Sequence, residues 1–160
     1  FQSFQVQIGQ GLNPQQWTVI GEPSTVPVTG GRLAAWDTTG LSGLYAVRLL
    51  VIRADQRVDT AILQVTVDNT PPTAEIMYPA AGQIFTYPQD DSVTFQFNAA
   101  DDLALAQVEL FLDNNLINAF TQPPYAHRWE TVPGEHTLRV RATDRAGNVT
   151  EVTVDFIVRR

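Results

Sequence analysis

Apolar and polar residues alternate with a period of two along most of this chain. In residues 93–99 every odd position is apolar and every even position is polar. The same alternation fills residues 4–8, 63–67, 136–142 and 152–156. Strands with one buried and one solvated face have this period. No segment of helical length shows a 3.6-residue stripe, so the pattern predicts an all-β chain.

Turn residues divide the predicted strands into two groups. Gly, Pro and Asn recur at intervals of about 8–12 residues, which is typical of β-sandwiches and barrels. Pro71 and Pro72 cannot donate hydrogen bonds to a sheet and hold the backbone extended. We therefore predict a linker at residues 68–73, a first module at residues 1–69 and a second module at residues 70–160.

An internal repeat supports two modules of one kind. Residues 36–38 (WDT) and 43–49 (GLYAVRL) recur as residues 129–131 (WET) and 134–140 (GEHTLRV). Each copy places a Trp and a carboxylate before a Gly turn and an alternating strand. A repeated pattern indicates one structural unit used twice. It predicts strand hairpins in residues 36–67 and 129–158, each closing a separate two-layer core.

The second module resembles the bacterial Ig-like (Big-type) repeats over most of residues 73–159. The resemblance is carried by three segments: residues 108–113 (VELFLD), 134–138 (GEHTL) and 142–148 (ATDRAGN). The first module resembles a less familiar relative, through Trp17 after Asn13-Pro14 and through residues 31–38. The resemblance implies two tandem immunoglobulin-like or fibronectin-III-like β-sandwiches.

The tandem arrangement also resembles the C-terminal tail of some penicillin-binding proteins of the glycosyltransferase/transpeptidase type. That resemblance implies a parent protein in the bacterial cell envelope. The chain starts without Met or a signal segment, so we expect it to be a piece of a larger extracytoplasmic protein, at the cell surface, in the periplasm or secreted. The absence of Cys excludes disulfides and thiolate catalysis and is compatible with an oxidising compartment.

Charge restricts the partners of the chain. Its ten basic residues are all Arg, and seventeen carboxylates give a net charge of −7. A nucleic-acid partner is disfavoured, because phosphate binding needs a clustered basic face. No run of about 18 apolar residues occurs, so no membrane span is expected in this segment. The expected partners are neighbouring domains of the parent, other envelope proteins or cell-wall glycan.

The residue inventory opposes an enzymatic function. Nucleophilic catalysis needs a Ser, Cys, Thr or Lys that a positioned base activates, and the chain contains no Lys and two His. Neither His127 nor His136 lies in a His-Glu-x-x-His metal motif. His136 takes the place of Tyr45 in the repeat, which indicates a packing role. We therefore expect no catalytic residues.

A calcium site is the sharper hypothesis for the acidic residues. An Ig-type topology brings two loops and the entry of the first strand to one pole. Six residues fall on these segments: Asp68, Asn69, Asp101, Asp102, Asp144 and Asn148. Ca²⁺ prefers about 6–8 oxygen ligands, which such residues supply. The alternative is turn chemistry, because Asp and Asn side chains bond nearby backbone in turns. No other cofactor is expected.

Aromatic and apolar residues suggest two further surfaces. Trp36 and Trp129 hold equivalent repeat positions and are expected in the cores, so a glycan platform would use Trp17, Tyr87 and Tyr125. If odd positions of residues 45–51 face inward, Leu50 and Ile52 face outward. A hairpin through residues 55–57 then places Ile62 opposite Leu50, and contiguous exposed apolar surface marks a contact site.

Two functions remain at this point. The first is a non-catalytic structural or interaction module, a spacer or scaffold within the cell envelope. The alternative is a module that binds carbohydrate or peptidoglycan.

Overall fold

The computed structural model describes residues 1–160 and consists of twelve β-strands with no helix. The all-β prediction is therefore confirmed. No helix suited by length and apolar character to crossing a membrane is present. The chain divides into two compact units, Phe1–Asn69 (the first unit) and Thr70–Arg160 (the second unit).

The first unit contains one antiparallel sheet. Its four strands are β1 (Ser3–Gln10), β2 (Thr18–Ser24), β3 (Gly43–Ile52) and β4 (Val58–Val67). They lie in the order β2-β1-β3-β4, so β2 and β4 form the two edges. Residues 25–42 contain no strand. Pro27, Gly30 and Gly31 in this segment disfavour a central strand, because Pro lacks an N–H and Gly has no side chain to pack.

Residues 25–42 cover part of one face of this sheet. The face is built from paired residues of β1 and β3, with Phe4 opposite Val51 and Val6 opposite Leu49. Trp36, from the irregular segment, packs edge-to-face on Tyr45 of β3 with 5.0 Å between ring centroids. The second layer of the first unit is thus irregular chain, whereas the sequence predicts a two-layer core built from strands.

The second unit contains two sheets. Its eight strands are β5 (Thr73–Tyr78), β6 (Ile84–Thr86), β7 (Ser92–Ala100), β8 (Leu105–Leu112), β9 (Asn115–Phe120), β10 (Ala126–Glu130), β11 (Gly134–Asp144) and β12 (Val149–Arg159). One sheet has the order β10-β7-β5 and the other the order β6-β12-β11-β8-β9. Only β6 runs parallel to its neighbour, β12.

The inner faces of these two sheets form the core of the second unit. The largest of the fully buried apolar side chains on these strands come from β7, β8, β11 and β12: Phe95, Phe97, Val108, Leu110, Leu138, Val140 and Phe156. The centroids of the Phe95 and Phe156 rings lie 5.8 Å apart in an edge-to-face arrangement. Burial of such alternating apolar positions stabilises the unit by roughly 25 cal/mol per Å² removed from water.

The turn between β8 and β9 shows how local sequence sets a hairpin. Leu112 pairs with Asn115, so the loop consists of two residues. Asp113 and Asn114 both have positive φ, 50° and 66°. Two-residue hairpin loops of type I′ require positive φ at both positions, where Asn and Asp are the non-Gly residues best tolerated. The Asp-Asn sequence therefore fits this tight turn.

Substitution of Gly9 by Ala should destabilise the first unit. An added Cβ would lie 2.3 Å from Pro14 Cβ and 2.8 Å from the Gln16 carbonyl oxygen. We expect a loss of about 1–3 kcal/mol in the free energy of unfolding, the usual cost of an overpacked site. Gly31→Ala is the matched control, because its added Cβ meets only the exposed side chain of Val28. Urea unfolding that ranks the two variants equally would contradict this explanation.

Candidate functional site

An aromatic pair recurs at the repeat positions of both units. Trp129 of β10 packs edge-to-face on His136 of β11, with 4.9 Å between centroids and 71° between ring planes. In the first unit Trp36 and Tyr45 lie 5.0 Å apart at 67°. Trp129 also stacks on Phe95 at 5.6 Å. Both Trp residues of the repeat therefore pack within their own unit.

His136 bridges two loops of the second unit. Its Nδ1 lies 2.8 Å from Asp113 Oδ2 in the β8–β9 turn, and its Nε2 lies 2.7 Å from the Val132 carbonyl oxygen. Both ring nitrogens of His136 are therefore engaged within the protein. His136 thus contributes to the structure of these loops, consistent with the packing role expected from the repeat.

Asp113 is held ionised by the same arrangement. Partial burial acts to raise the pKa of Asp113, but the hydrogen bond with His136 and the bond donated by the Thr137 backbone N–H outweigh it. The pKa of Asp113 therefore lies below its ordinary value.

The other histidine, His127, is half-buried on β10, and its Nδ1 lies 3.3 Å from Asn118 Nδ2.

The β11–β12 loop is organised around the buried carboxylate of Asp144. Its Oδ1 accepts hydrogen bonds from the backbone N–H groups of Gly147 and Asn148, at 2.7 and 2.8 Å. Its Oδ2 accepts one from the side-chain amide of Asn148 at 2.7 Å. Burial acts to raise the pKa of Asp144, but these donors outweigh it and lower the pKa below the ordinary value.

Asp101 and Asn69 also bond the backbone of turns. Asp101 Oδ2 accepts hydrogen bonds from the N–H groups of Leu103 and Ala104, at 2.9 and 2.7 Å. In the first unit the side-chain amide of Asn69 donates to the carbonyl oxygens of Thr38 and Leu41, both at 2.7 Å. Asp101 and Asp144, two of the six proposed calcium ligands, therefore perform the turn chemistry that is the alternative explanation. Asn69 bonds a turn that is distant in sequence.

The calcium site stays a prediction. Asp102 is exposed and Asp68 is half-buried. Asp101 Oδ1 is buried and accepts no hydrogen bond, which leaves lone pairs free for a cation. A calcium site would raise the melting temperature on addition of Ca²⁺, EDTA would reverse the rise, and Asp101→Asn would abolish it. An unchanged melting temperature across a Ca²⁺ titration would remove the hypothesis.

The three residues of the predicted glycan platform differ in their surroundings. The Arg48 guanidinium lies 3.9 Å from the centroid of the Trp17 ring, so one face of that ring is already occupied. Tyr125 stacks on Phe97 at 5.8 Å and packs against the core of the second unit. Tyr87 is 44% exposed. The glycan surface therefore stays a prediction, with Tyr87 as its most accessible ring.

An open groove lies beside Tyr125 in the second unit. It has a volume of about 990 Å³ and is lined by residues of β5, β7 and the start of β10. Exposed polar side chains of Glu75, Gln96 and Asn98 project from its walls. Pro123 and Pro124 also line it. Sequence alone did not reveal this groove, because it forms where β7 extends past the start of β10.

The predicted contact patch lies on β3 and β4 of the first unit, and these two strands pair in a different register from the predicted one. Leu50 and Ile52 are half-buried, and Ile62 is 59% exposed. Ile62 pairs with Arg48, and Leu50 pairs with Thr60, so the prediction that Ile62 lies opposite Leu50 was wrong.

The geometry of the turn explains this difference in register. The Arg53 N–H donates to the Arg57 carbonyl oxygen, and Gln56 has a φ of 65°. The turn is therefore centred on Asp55, one residue earlier than predicted, which shifts every pairing by two residues. Since side chains alternate with period two, the shift keeps Ile62 on the same face as Leu50 and makes the two residues diagonal neighbours.

Leu63 is an exposed apolar residue that the sequence did not single out. It is 65% exposed and lies on the opposite face of β4 from Ile62. Leu63, Val47, Leu49 and Trp36 line an apolar groove of about 470 Å³ in the first unit. Residues 61–63 are consecutive apolar residues, and this run could have revealed the exposed Leu63 from the sequence. Alternation of apolar and polar residues fails where both faces of a strand are apolar.

Part of the second unit is similar to a known family. The family model described as Bacterial Ig domain matches residues 72–140. No relative was found among curated proteins. The match includes residues 108–113 and 134–138, two of the three segments through which the second module resembles bacterial Ig-like repeats, and it ends before the third, residues 142–148. The Ig-like part of the resemblance is confirmed.

Comparison with solved structures supports the fold of the whole chain. The fibronectin(III)-like modules of CbhA from Clostridium thermocellum match at 20% identity with a TM-score of 0.55, covering 97% of this chain and 77% of that one. Two further matches have TM-scores of 0.37 and carry no weight. The first is dimeric latent PorU from Porphyromonas gingivalis, which is 14% identical, with 98% of this chain and 16% of that one covered. The second is the IG1+IG2 segment of DIP-gamma, which is 12% identical, with 98% of this chain and 84% of that one covered. The predicted Ig-like and fibronectin-III-like fold class is confirmed.

Acid should destabilise the protein through Asp113 and Asp144. Both pKa values are lowered in the folded protein, so both carboxylates stabilise the fold above the unfolded pKa of about 3.9. That contribution disappears as the pH falls through their folded pKa values. We expect the free energy of unfolding to fall below about pH 4.

The variant Asp144→Asn tests whether the Asp144 carboxylate stabilises the fold. It loses a charged acceptor of backbone N–H groups, so we expect a loss of roughly 1–3 kcal/mol at pH 7. Its stability should also depend less on pH between about pH 4 and pH 2. Urea unfolding at several pH values measures both effects, and an unchanged acid dependence would contradict the role given to Asp144.

Proposed function

We propose that this chain is a non-catalytic structural and interaction segment of a larger extracytoplasmic bacterial protein. In this proposal its Ig-like units hold or space a neighbouring domain within the cell envelope. One observation carries it: the polar side chains best suited to chemistry bond the protein's own backbone. His136, Asp113 and Asp144 each hold a loop in place.

The packing of the aromatic residues supports the same function. Phe95, Trp129 and Phe156 contact one another within the second unit, and His136 lies against two of these rings. A core of this kind gives a unit with a defined shape that can serve as a spacer. Ig-like folds host many functions, so the proposal depends on these side chains and not on the fold alone.

The parent protein is the finer part of the proposal. The Bacterial Ig domain match over residues 72–140 supports a bacterial parent of the surface-associated kind. We propose the C-terminal tail of a penicillin-binding protein of the glycosyltransferase/transpeptidase type, and neighbouring domains or other envelope proteins as partners. The net charge of −7 supports partners other than nucleic acid.

A carbohydrate-binding function is the alternative, and the groove of the second unit favours it. Gln96 and Asn98 present amides there, Glu75 presents a carboxylate, and Tyr125 lies at the rim. Polar groups beside an aromatic ring are the kind of set that recognises a sugar, although the ring face of Tyr125 is stacked on Phe97. The structural function therefore has the stronger support.

Sedimentation with purified insoluble peptidoglycan separates the two functions. We expect the chain to remain in the supernatant and to release no soluble fragments from the polymer, because His136, Asp113 and Asp144 bond the protein's own loops. Co-sedimentation that Asn98→Ala abolishes and Thr94→Ala retains would replace the structural function by glycan binding. Both positions are exposed on β7, and only Asn98 lines the groove.

A further inference from the structure

Strand β4 is an unprotected edge of the sheet in the first unit. It is 10 residues long and therefore spans about 33 Å. Its pairing with β3 is regular from Ile52–Val58 to Gly43–Val67, with no bulge. On its other side β4 has no neighbouring strand. Such an edge presents a row of unpaired N–H and C=O groups that can accept another strand.

The other five sheet edges each carry a feature that discourages pairing. β2 contains Pro23 and pairs irregularly with β1 between Phe4 and Val6. The pairing of β5 with β7 and the pairing of β9 with β8 each contain a register shift. β6 and β10 are short, with 3 and 5 residues. Proline, bulges and short length are known protections of edge strands, and β4 has none of them.

The charges on β4 do not protect it either. Asp59 is its one charged residue, and Asp59 Oδ2 lies 2.6 Å from Arg53 Nε at the turn. Residues 60–67 contain no charge and no proline. A charge in the middle of an edge strand would oppose pairing with another chain. The central part of β4 lacks that obstacle.

The turn before β4 shows which backbone groups point outward. The Arg53 N–H donates to the Arg57 carbonyl oxygen, so this pair is a hydrogen-bonded pair. Hydrogen-bonded and non-hydrogen-bonded pairs alternate along an antiparallel ladder. Odd residues of β4 therefore bond β3, and even residues direct their N–H and C=O groups outward. Thr60, Ile62 and Gln64 supply the free groups in the middle of the strand.

The side chains of β4 also present uncovered apolar surface on both faces. Val58 and Ile62 are 55% and 59% exposed on one face, and Leu63 is 65% exposed on the other. A strand added at this edge would extend the sheet and cover part of both faces. The free hydrogen-bonding groups of the edge and the burial of these exposed side chains therefore both favour the addition of an extended strand.

We propose that β4 pairs antiparallel with β4 of a second copy of this chain, about a two-fold axis at Ile62. The proposal builds on the interaction function above and names the partner. In this register Ile62 lies opposite its copy, Ala61 opposite Leu63, and Thr60 opposite Gln64. Two four-stranded sheets become one of eight strands, and the two-fold symmetry uses both β4 edges and closes the assembly.

The charges on β4 permit a second copy in this register. Asp59 lies opposite Val65 of the other copy, so the two Asp59 carboxylates do not meet. The chain as a whole carries a net charge of −7, and two copies repel each other over most approaches. Residues 60–67 carry no charge, so two copies can meet along them without direct contact between like charges. The small Ala61 opposite the large Leu63 also allows their side chains to pack.

Sedimentation equilibrium of the complete chain tests the proposal. Between about 1 µM and 1 mM we expect a reversible monomer–dimer equilibrium. Ile62→Lys places two like charges opposite each other and should weaken the dimer by about tenfold or more. Val19→Lys, on the other edge strand of the same sheet, is the matched control and should leave the dimer unchanged. Unchanged melting temperatures would show that both variants fold.

A disulfide provides a second measurement. The chain contains no Cys, so Ile62→Cys introduces a single thiol. The two-fold pairing places the Cα atoms of position 62 about 5.5 Å apart, within the range for a disulfide. Mild oxidation should then give a covalent dimer, and Val19→Cys should give much less.

Three results would overturn the proposal. They are a monomer at all concentrations, a dimer that Ile62→Lys leaves intact, or equal crosslinking at positions 19 and 62. None of these results bears on the proposed structural function, which the experiment with insoluble peptidoglycan tests separately. Conversely, glycan binding in that experiment would overturn the structural function, and sedimentation equilibrium would still measure whether the chain forms a dimer.

Discussion

A β-sheet with an apolar face must bury that face, and the rest of this molecule follows from how each unit meets this requirement. In the second unit a second sheet supplies the cover, and the side chains of β7, β8, β11 and β12 form a closed core. In the first unit residues 25–42 supply the cover. Irregular chain does not reach the whole face, so an apolar groove and an exposed edge strand remain.

The polar residues of the second unit serve the loops at the ends of these strands. Asp144 bonds the backbone of the β11–β12 loop, and Asp113 together with His136 joins the β8–β9 turn to the loop before β11. A side chain that satisfies backbone donors or acceptors of its own fold is poorly placed to bind or transform a substrate. The same contacts that stabilise the loops therefore support a structural function.

The difference between the two units connects the fold with the proposed association. In the second unit every sheet edge is short or irregular, whereas the first unit ends in the long, regular strand β4. Leu63 and Ile62 remain exposed there because no second layer or further strand lies over them. An incompletely covered unit with exposed apolar side chains is a suitable place for contact with another chain.

The sequence by itself determined the all-β class, the positions of most strands and the repeated Trp pairs, because alternation with period two reports directly which face of a strand is buried. Tertiary structure alone decided the register of β3 and β4, since one residue in the turn moves every pairing by two. It also decided that residues 25–42 form no sheet, that Asp144 faces its own loop backbone, and that β4 lies at an edge. Each of these depends on contacts between residues distant in sequence, which local patterns of polarity do not encode.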